Sequence, residues 1–275
     1  MIDVALLTRA LALSPKPWEI ECTDRIDSTN LELCRRYSNS HEVPRLLLWS
    51  QEQTEGRGRL NRSWLSVPGL DITASAIFPS PVPRAAVTKL SLCAGVALVR
   101  VLAGEYGLSA MVRWPNDVLT SNGKLAGILS SYLAGPNAVV CGIGINVNSR
   151  PEAIELDQYG RRTTLMAEIG REISREKLLA SWLLAFEEAW ELARDDRARE
   201  LADAFDPVSF YRGRRVRVLV GAGMDREEDV DCERFEGVAG SLDRQGALLV
   251  ERSDGSRYSM STDDVLIPLD RYPAF

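Results

Sequence analysis

The chain has 275 residues, of which 45% are hydrophobic and 26% charged, ordinary values for one or two globular domains whose core needs no disulfide or metal. Thirty-three Lys and Arg stand against 39 Asp and Glu, a net charge of -6, so bulk attraction to nucleic acid or an anionic membrane is not a property of the whole chain. The single histidine, His41, excludes a multi-histidine metal site, and five scattered cysteines (Cys22, Cys34, Cys93, Cys141, Cys232) with no C-x-x-C pair read as reduced thiols, not a disulfide framework or zinc ribbon.

The opening MIDVALLTRALALSPKPWEI has no basic stretch before its apolar run and carries Asp3 there. It predicts a short helix, not a secretion signal, and the expected location is cytoplasmic. The apolar runs fall short of the roughly 18 residues of a membrane span. Trp18 to Ile26 reads as a strand, and Asp27-Ser28-Thr29-Asn30 then supplies caps for a helix starting Leu31-Glu32-Leu33-Cys34. Arg45 to Ser50 is a short apolar run that suits a buried strand. Residues 51–63 are polar, rich in Gly and Arg and without period, and read as a loop. A strand resumes from Leu70 to Phe78 and ends at the prolines Pro79, Pro81 and Pro83.

Val87, Leu90, Ala94, Ala97, Leu98 and Val101 keep helical spacing, which predicts a helix over 85–103 stopped by Gly104 and Gly107. Strands follow at Met111–Trp114, Val118–Leu119, Lys124–Leu133 and Ala138–Val147, with Asn122-Gly123 as a hairpin signal. Ser174 caps a second helix whose face carries Leu178, Leu179, Trp182, Leu183, Phe186, Ala189 and Trp190. After Asp206-Pro207 the pattern changes to four or five short strands, the mark of a small β-barrel. The expected division is 1–206 and 207–275. The acidic run Asp225–Glu233 reads as a solvated loop.

Three segments carry chemistry. Gln53-Thr54-Glu55-Gly56-Arg57-Gly58-Arg59-Leu60-Asn61-Arg62-Ser63-Trp64 combines glycines, which let a backbone approach a ligand, with arginines, which offer fixed donors to phosphate or carboxylate. Arg113-Trp114-Pro115-Asn116-Asp117 turns at a proline, and Gly123-Lys124-Leu125-Ala126-Gly127 returns a lysine opposite the carboxylate. Gly142-Ile143-Gly144-Ile145-Asn146 strips side chains from one face of a strand but lacks the third glycine and helix start of a dinucleotide fingerprint.

Taken in order with Ser28-Thr29-Asn30, these segments resemble the biotin protein ligases (biotin–[acetyl-CoA-carboxylase] ligases) over about residues 18–270. The resemblance implies an α/β (α+β) catalytic domain similar to class II aminoacyl-tRNA synthetases. It has a mixed sheet with helices against one side, followed by a C-terminal SH3-like β-barrel. It implies formation of biotinyl-5′-AMP from biotin and ATP, with Mg²⁺, and transfer of biotin to a lysine of a biotin carboxyl carrier domain. Members that repress transcription carry an N-terminal DNA-binding domain; fewer than 30 residues precede the first motif here, so neither that domain nor DNA binding is expected, nor is a membrane partner. A homodimer through a sheet edge is compatible with the resemblance.

By the same resemblance, Ser28, Thr29, Asn30 and Gln53 would bond the ureido end of biotin, and Gly56, Arg57, Gly58, Arg59 and Lys124 would also bind biotin. Gly127, Gly142 and Gly144 would leave room for the ring and valeryl chain, and Trp64 would wall the pocket. Arg57, Arg59 and Lys124 would neutralise charge on the transferring group. Arg59, Arg62, Asn116, Lys124 and Asn146 would contact ATP or the adenylate, and Asp117 would position or deprotonate the acceptor lysine. The metal ligands are not assigned. Relatives can place a tryptophan near the end of segment 149–162 to stack on adenine; Tyr159 is the only aromatic there. The rival enzyme is a lipoate–protein ligase or octanoyltransferase, whose transferase branch needs a nucleophilic cysteine beside the lysine motif. An RNA-binding module is opposed by the net charge and by a barrel segment without a basic-aromatic stripe.

Overall fold

A strand whose consecutive residues are all apolar needs cover on both faces. The computed structural model describes residues 2–80, 83–84, 87–150, 161–222 and 232–269, without the side chains of Asn61 and Asp195; Tyr159 and residues 225–231 of the acidic run lie outside them. Seven strands form one sheet: β1 (Glu19–Ile26), β2 (Leu46–Gln53), β3 (Ile72–Pro79), β4 (Met111–Arg113), β5 (Asp117–Thr120), β6 (Gly123–Leu133) and β7 (Ala138–Ile145). Their order is β1-β2-β3-β7-β6-β5-β4. The pair β1–β2 is parallel and the other neighbours are antiparallel, so the sheet is mixed as expected.

The four apolar residues Leu46 to Trp49 of β2 are all buried, alternately toward two cores. Leu47 and Trp49 join the larger core with α3 (Val87–Tyr106) and α5 (Arg175–Trp190). Leu46 and Leu48 join a smaller core with Ile77, Leu133, Val140 and Leu33 of α2 (Thr29–Tyr37). The expectation of helices against one side is therefore corrected. Helix α2 covers part of the opposite face, because β2 and β7 are apolar on both.

Helix α3 passes through Gly104 and ends before Gly107, whose φ of 63° is the left-handed stop. A single interior glycine costs only about 1 kcal/mol, less than the burial of Leu98, Val101 and Leu102 returns. By length and composition α3 could cross a membrane, contrary to the reading of the apolar runs, but it is packed between the sheet and α5. The Ser174 hydroxyl caps α5 by accepting from Lys177 N; Trp182 stacks on Phe186, Phe186 meets Trp190 edge to face, and Trp190 stacks on Phe78. The short α1 (Val4–Leu11) packs on α5. Two helices, α4 (Leu165–Ile169) and α6 (Ala198–Phe205), have no counterpart in the sequence expectation.

The second sheet is antiparallel, as a small β-barrel requires. It comprises β8 (Arg215–Leu219), β9 (Arg234–Leu242), β10 (Leu248–Arg252), β11 (Arg257–Ser259) and β12 (Val265–Pro268), in the order β11-β10-β9-β8-β12. Strand β12 lies beyond Tyr258–Ser261, the last strand that the sequence pattern predicts. Bonds that tie this part to the first sheet include Phe210 N donating to Val112 O at 2.9 Å and Trp114 Nε1 donating to Gly246 O at 3.0 Å.

Candidate active site

The α2-side face of the large sheet is only half covered. Beneath Leu33 it presents Ile77, Val140 and Leu133; two to six residues further along the same strands it presents Ser75, Gly142, Gly144, Leu129 and Gly127. The registers Ser75↔Gly142, Leu129↔Gly142 and Gly127↔Gly144 set these positions side by side. Missing side chains thus make the floor of a cleft of about 810 Å³, open mouth included.

One end of the cleft is polar and uncharged. Ser28 caps α2, accepting from Leu31 N at 3.4 Å, as the sequence predicts. Thr29 donates from its backbone N at 2.7 Å and its hydroxyl at 3.0 Å to Gln53 Oε1, and the hydroxyl lies 2.8 Å from Ser75 Oγ. Asn30 donates to Leu129 O at 3.1 Å and accepts from Ser131 Oγ at 3.1 Å. A Cβ on Gly142 would stand 3.1 Å from Ser75 Oγ and 3.3 Å from Asn30 Nδ2, so the glycine opens this end.

The segment read as a loop is a small hairpin. Gly58 N donates to Arg62 O at 2.7 Å, Trp64 N donates to Gly56 O at 2.8 Å, and Arg57 pairs with Ser63. At its turn Leu60 is left-handed, with φ 53°. The expectation that Gly56 binds biotin is corrected: it does not line the cleft, and a side chain there would strike the Trp64 carbonyl, so the glycine serves hairpin closure. The Trp64 indole lies flat on the floor. A Cβ on Gly144 would overlap the indole, and one on Gly127 would stand 2.9 Å from it. The space that Gly127 and Gly144 leave is therefore taken by Trp64, not left open for a ring and chain, which revises the sequence expectation.

The other end is charged. Lys124 Nζ lies 2.8 Å from Asp117 Oδ1, and Arg113 Nη2 donates to Asp117 Oδ2 at 2.6 Å. Burial pushes the Asp117 carboxyl up, but the charges and hydrogen bonds of Lys124 and Arg113 outweigh it and bring it down to about 2. So weak a base gains nothing by taking a proton from a lysine ammonium, whose ordinary pKa is about 10.4. Each Asp117 oxygen is engaged by a cation, a geometry that suits holding Lys124 and Arg113 better than the expected general-base role. Arg59 donates to Asn116 Oδ1 at 3.3 Å and to Thr262 O, on the β11–β12 turn, at 2.6 Å. Burial works against the Arg59 charge, while Asp117 and Asp263 favour it. Asn116 is itself fixed by donating to Ile128 O at 2.8 Å.

Asn146 does not line the cleft. It is fully buried behind it, donating to Lys124 O at 3.3 Å and Thr163 O at 3.1 Å, so it braces the lysine strand instead of meeting a nucleotide directly. The remaining expected residues, Arg57, Gly58 and Arg62 among them, line the cleft. Ser75, Arg113 and Arg162 line it as well, though none is among the expected site residues. Ser75 has a signal, a hydroxyl inside the apolar strand ITASAIF; Arg162 has none beyond its charge. Among the described residues, the cleft walls carry the cations Arg57, Arg59, Arg62, Arg113, Lys124 and Arg162 against the single carboxylate Asp117, an arrangement that accepts a polyanion at one end and a neutral polar group at the other.

Residues 22–148 match the biotin/lipoate A/B protein ligase family. The chain is 32% identical over 256 residues to the biotin–[acetyl-CoA-carboxylase] ligase of Mycobacterium tuberculosis, covering 90% of this chain and 88% of that one. It is 28% identical over 239 residues to the bifunctional ligase/repressor BirA of Bacillus subtilis, covering 86% of this chain and 70% of that one. Among solved structures, a biotin protein ligase from Aquifex aeolicus in complex with biotin and ATP shares the fold with a TM-score of 0.72 at 24% identity, over 91% of this chain and 99% of that one. With the half-covered sheet face, the arginine hairpin and the Lys124–Asp117 pair in the order of its motifs, the chain belongs to the biotin–[acetyl-CoA-carboxylase] ligase family.

Proposed function

We propose that this enzyme condenses biotin with ATP and passes the biotinyl group to one lysine of a biotin carboxyl carrier domain. The observation that carries this reading is the division of one cleft into a neutral hydrogen-bonding end at Thr29, Asn30, Gln53 and Ser75 and a cationic end at Arg59, Arg62, Lys124 and Arg113. The ureido group suits the first end. The carboxylate, at the far end of the valeryl chain, reaches Lys124 at the second. In the first step a carboxylate oxygen bonds to the α-phosphorus and pyrophosphate leaves. Negative charge gathers on the transferring phosphoryl, where Lys124, Arg57 and Arg59 supply preorganised positive charge. In the second step the carrier amine, as free base, attacks the acyl carbon, AMP leaves and the proton goes to solvent. Asp117 holds Lys124 and Arg113 in place through both steps.

Among the described residues no group of three or more His, Cys, Asp or Glu could hold a metal ion. In this reading Mg²⁺ arrives with ATP, held by phosphate oxygens and water, as is usual for that ion.

The test is mass spectrometry of a carrier domain incubated with the protein, biotin, ATP and Mg²⁺. The expected product gains one biotinyl group on one lysine. No gain with biotin and a gain with lipoate would transfer the chain to the lipoate branch of the wider family.

A further inference from the structure

On the α2-side face of β6, Ser131 stands between Leu129 and Leu133. Leu133 belongs to the smaller core beside Leu33, and Leu129 lines the cleft. A hydroxyl between two leucines interrupts an apolar row, and this hydroxyl is spent on another element. Ser131 Oγ donates to Asn30 Oδ1 of α2 at 3.1 Å. One helical turn beyond Asn30, Cys34 Sγ donates to the same oxygen at 3.8 Å, a weak bond. Burial pushes the Cys34 thiol up, so it keeps its hydrogen at neutral pH. On the other side of the amide, Nδ2 donates to Leu129 O at 3.1 Å. These partners are satisfied by one orientation of the amide. Turned over, it would set its NH2 against two donors and its oxygen against a carbonyl.

The orientation decides what Asn30 offers a ligand. An amide nitrogen carries two hydrogens. Leu129 O takes one, and among the described residues no acceptor takes the other. In front of Nδ2 lies the space that Gly142 leaves, where a Cβ would stand 3.3 Å from Nδ2 and 3.1 Å from Ser75 Oγ. Ser75 has the opposite polarity. The Thr29 hydroxyl spends its hydrogen on Gln53 Oε1, so across their 2.8 Å contact Ser75 donates to Thr29 and keeps lone pairs for the cleft. A donor and an acceptor thus stand side by side, the complement of a carbonyl flanked by an N–H.

We propose that Ser131, with Cys34, is a positioning residue that sets the amide of Asn30, so that this end of the cleft selects a ligand with a carbonyl there and rejects one that can only donate. The proposal rests on the biotin reading of the cleft, in which that carbonyl belongs to the ureido ring, and it adds the two side chains that fix the polarity of its seat.

The experiment is calorimetric titration of wild type, Ser131→Ala and Ser131→Thr with biotin and with 2-iminobiotin, whose ring carries a guanidinium, a donor only, in place of the ureido group. In Ser131→Ala the amide keeps Leu129 O and the weak thiol bond alone, and it turns over for part of the time. The hydrogen bond lost from the carbonyl raises the Kd for biotin roughly three- to tenfold. The amide oxygen that then faces the cleft accepts from 2-iminobiotin, so the preference for biotin over 2-iminobiotin falls by at least that factor. Ser131→Thr keeps the hydroxyl, and the preference stays within about twofold of wild type. A purely structural defect would weaken both ligands alike. An unchanged preference in Ser131→Ala, or the same loss of preference in Ser131→Thr, overturns the assignment. If wild-type protein binds neither ligand, the proposed function itself fails, and Ser131 with it; that outcome is read in the wild type alone.

Discussion

At the scale of single residues, Asp117 shows how a pairing changes a role. From the sequence it is a carboxylate opposite a lysine, and a base for the acceptor amine is a reasonable reading. The fold gives each of its oxygens a cation. Its folded pKa, about 2, lies below the roughly 3.9 of an unfolded Asp. The stability this pairing contributes is therefore present above about pH 4 and is lost only as pH falls through about 2. Across the working range Asp117 stays ionised. Transfer from preformed biotinyl-adenylate should then rise with pH as the carrier lysine loses its proton, with no inflection from the enzyme carboxylate. Asp117→Asn leaves Lys124 and Arg113 repelling each other without a counter-ion. We expect it to destabilise the fold by about 3 kcal/mol and to slow both half-reactions, adenylation by roughly 10²-fold. Chemical denaturation and single-turnover assays of each step check this; a defect confined to transfer would restore the general base.

Among elements, the arginine hairpin and the glycine floor are legible in part. The alternate glycines of β7 announce a bare strand face, and the structure has one. The sequence does not say what lies on it, because the covering group, Trp64, comes from a segment without hydrophobic period. Its order comes from three backbone hydrogen bonds and one indole laid across two strands, which no local pattern encodes. The same reasoning explains α2. Its cap is legible at Ser28, but its side of the sheet follows from pairings distant in sequence. Gly144→Ala tests the floor. The new methyl overlaps the indole, and Trp64 has to lift, taking the hairpin with it. Biotin affinity should fall roughly tenfold, on the scale of about 1–3 kcal/mol for overpacking. Calorimetric titration reads it, and in a Trp64→Ala background the added loss should shrink below about threefold, since the clashing ring is gone. An undiminished loss in that background would place the strain elsewhere.

For the whole molecule, the two sheets meet at the chemistry. The shift to short strands after Asp206-Pro207 is readable in composition. Nothing there foretells that the β11–β12 turn supplies a backbone acceptor, Thr262 O, to Arg59 of the arginine hairpin. A carbonyl carries no side-chain signature, so such a contact is invisible until the two sheets are in place. The turn is held by Asp264, which is buried and accepts from Gly221 N at 2.8 Å, Ser261 N at 2.7 Å and Tyr258 OH at 3.0 Å. Removing that carboxylate frees the turn and, with it, one of the two groups that aim Arg59. Asp264→Ala should therefore cost about 2 kcal/mol of stability, in the range for hydrogen bonds to a charged group, and should also slow adenylation while biotin alone binds normally. The control is Val216→Ala, a cavity in the same small sheet worth a comparable loss, at a position paired with Gly237 and Pro268 and with none of the groups that bond Asp264. Below the melting transition of both variants, pyrophosphate release at saturating biotin should fall for Asp264→Ala and stay near wild type for Val216→Ala. Equal rates in the two variants would mean that the second sheet stabilises the fold without aiming Arg59.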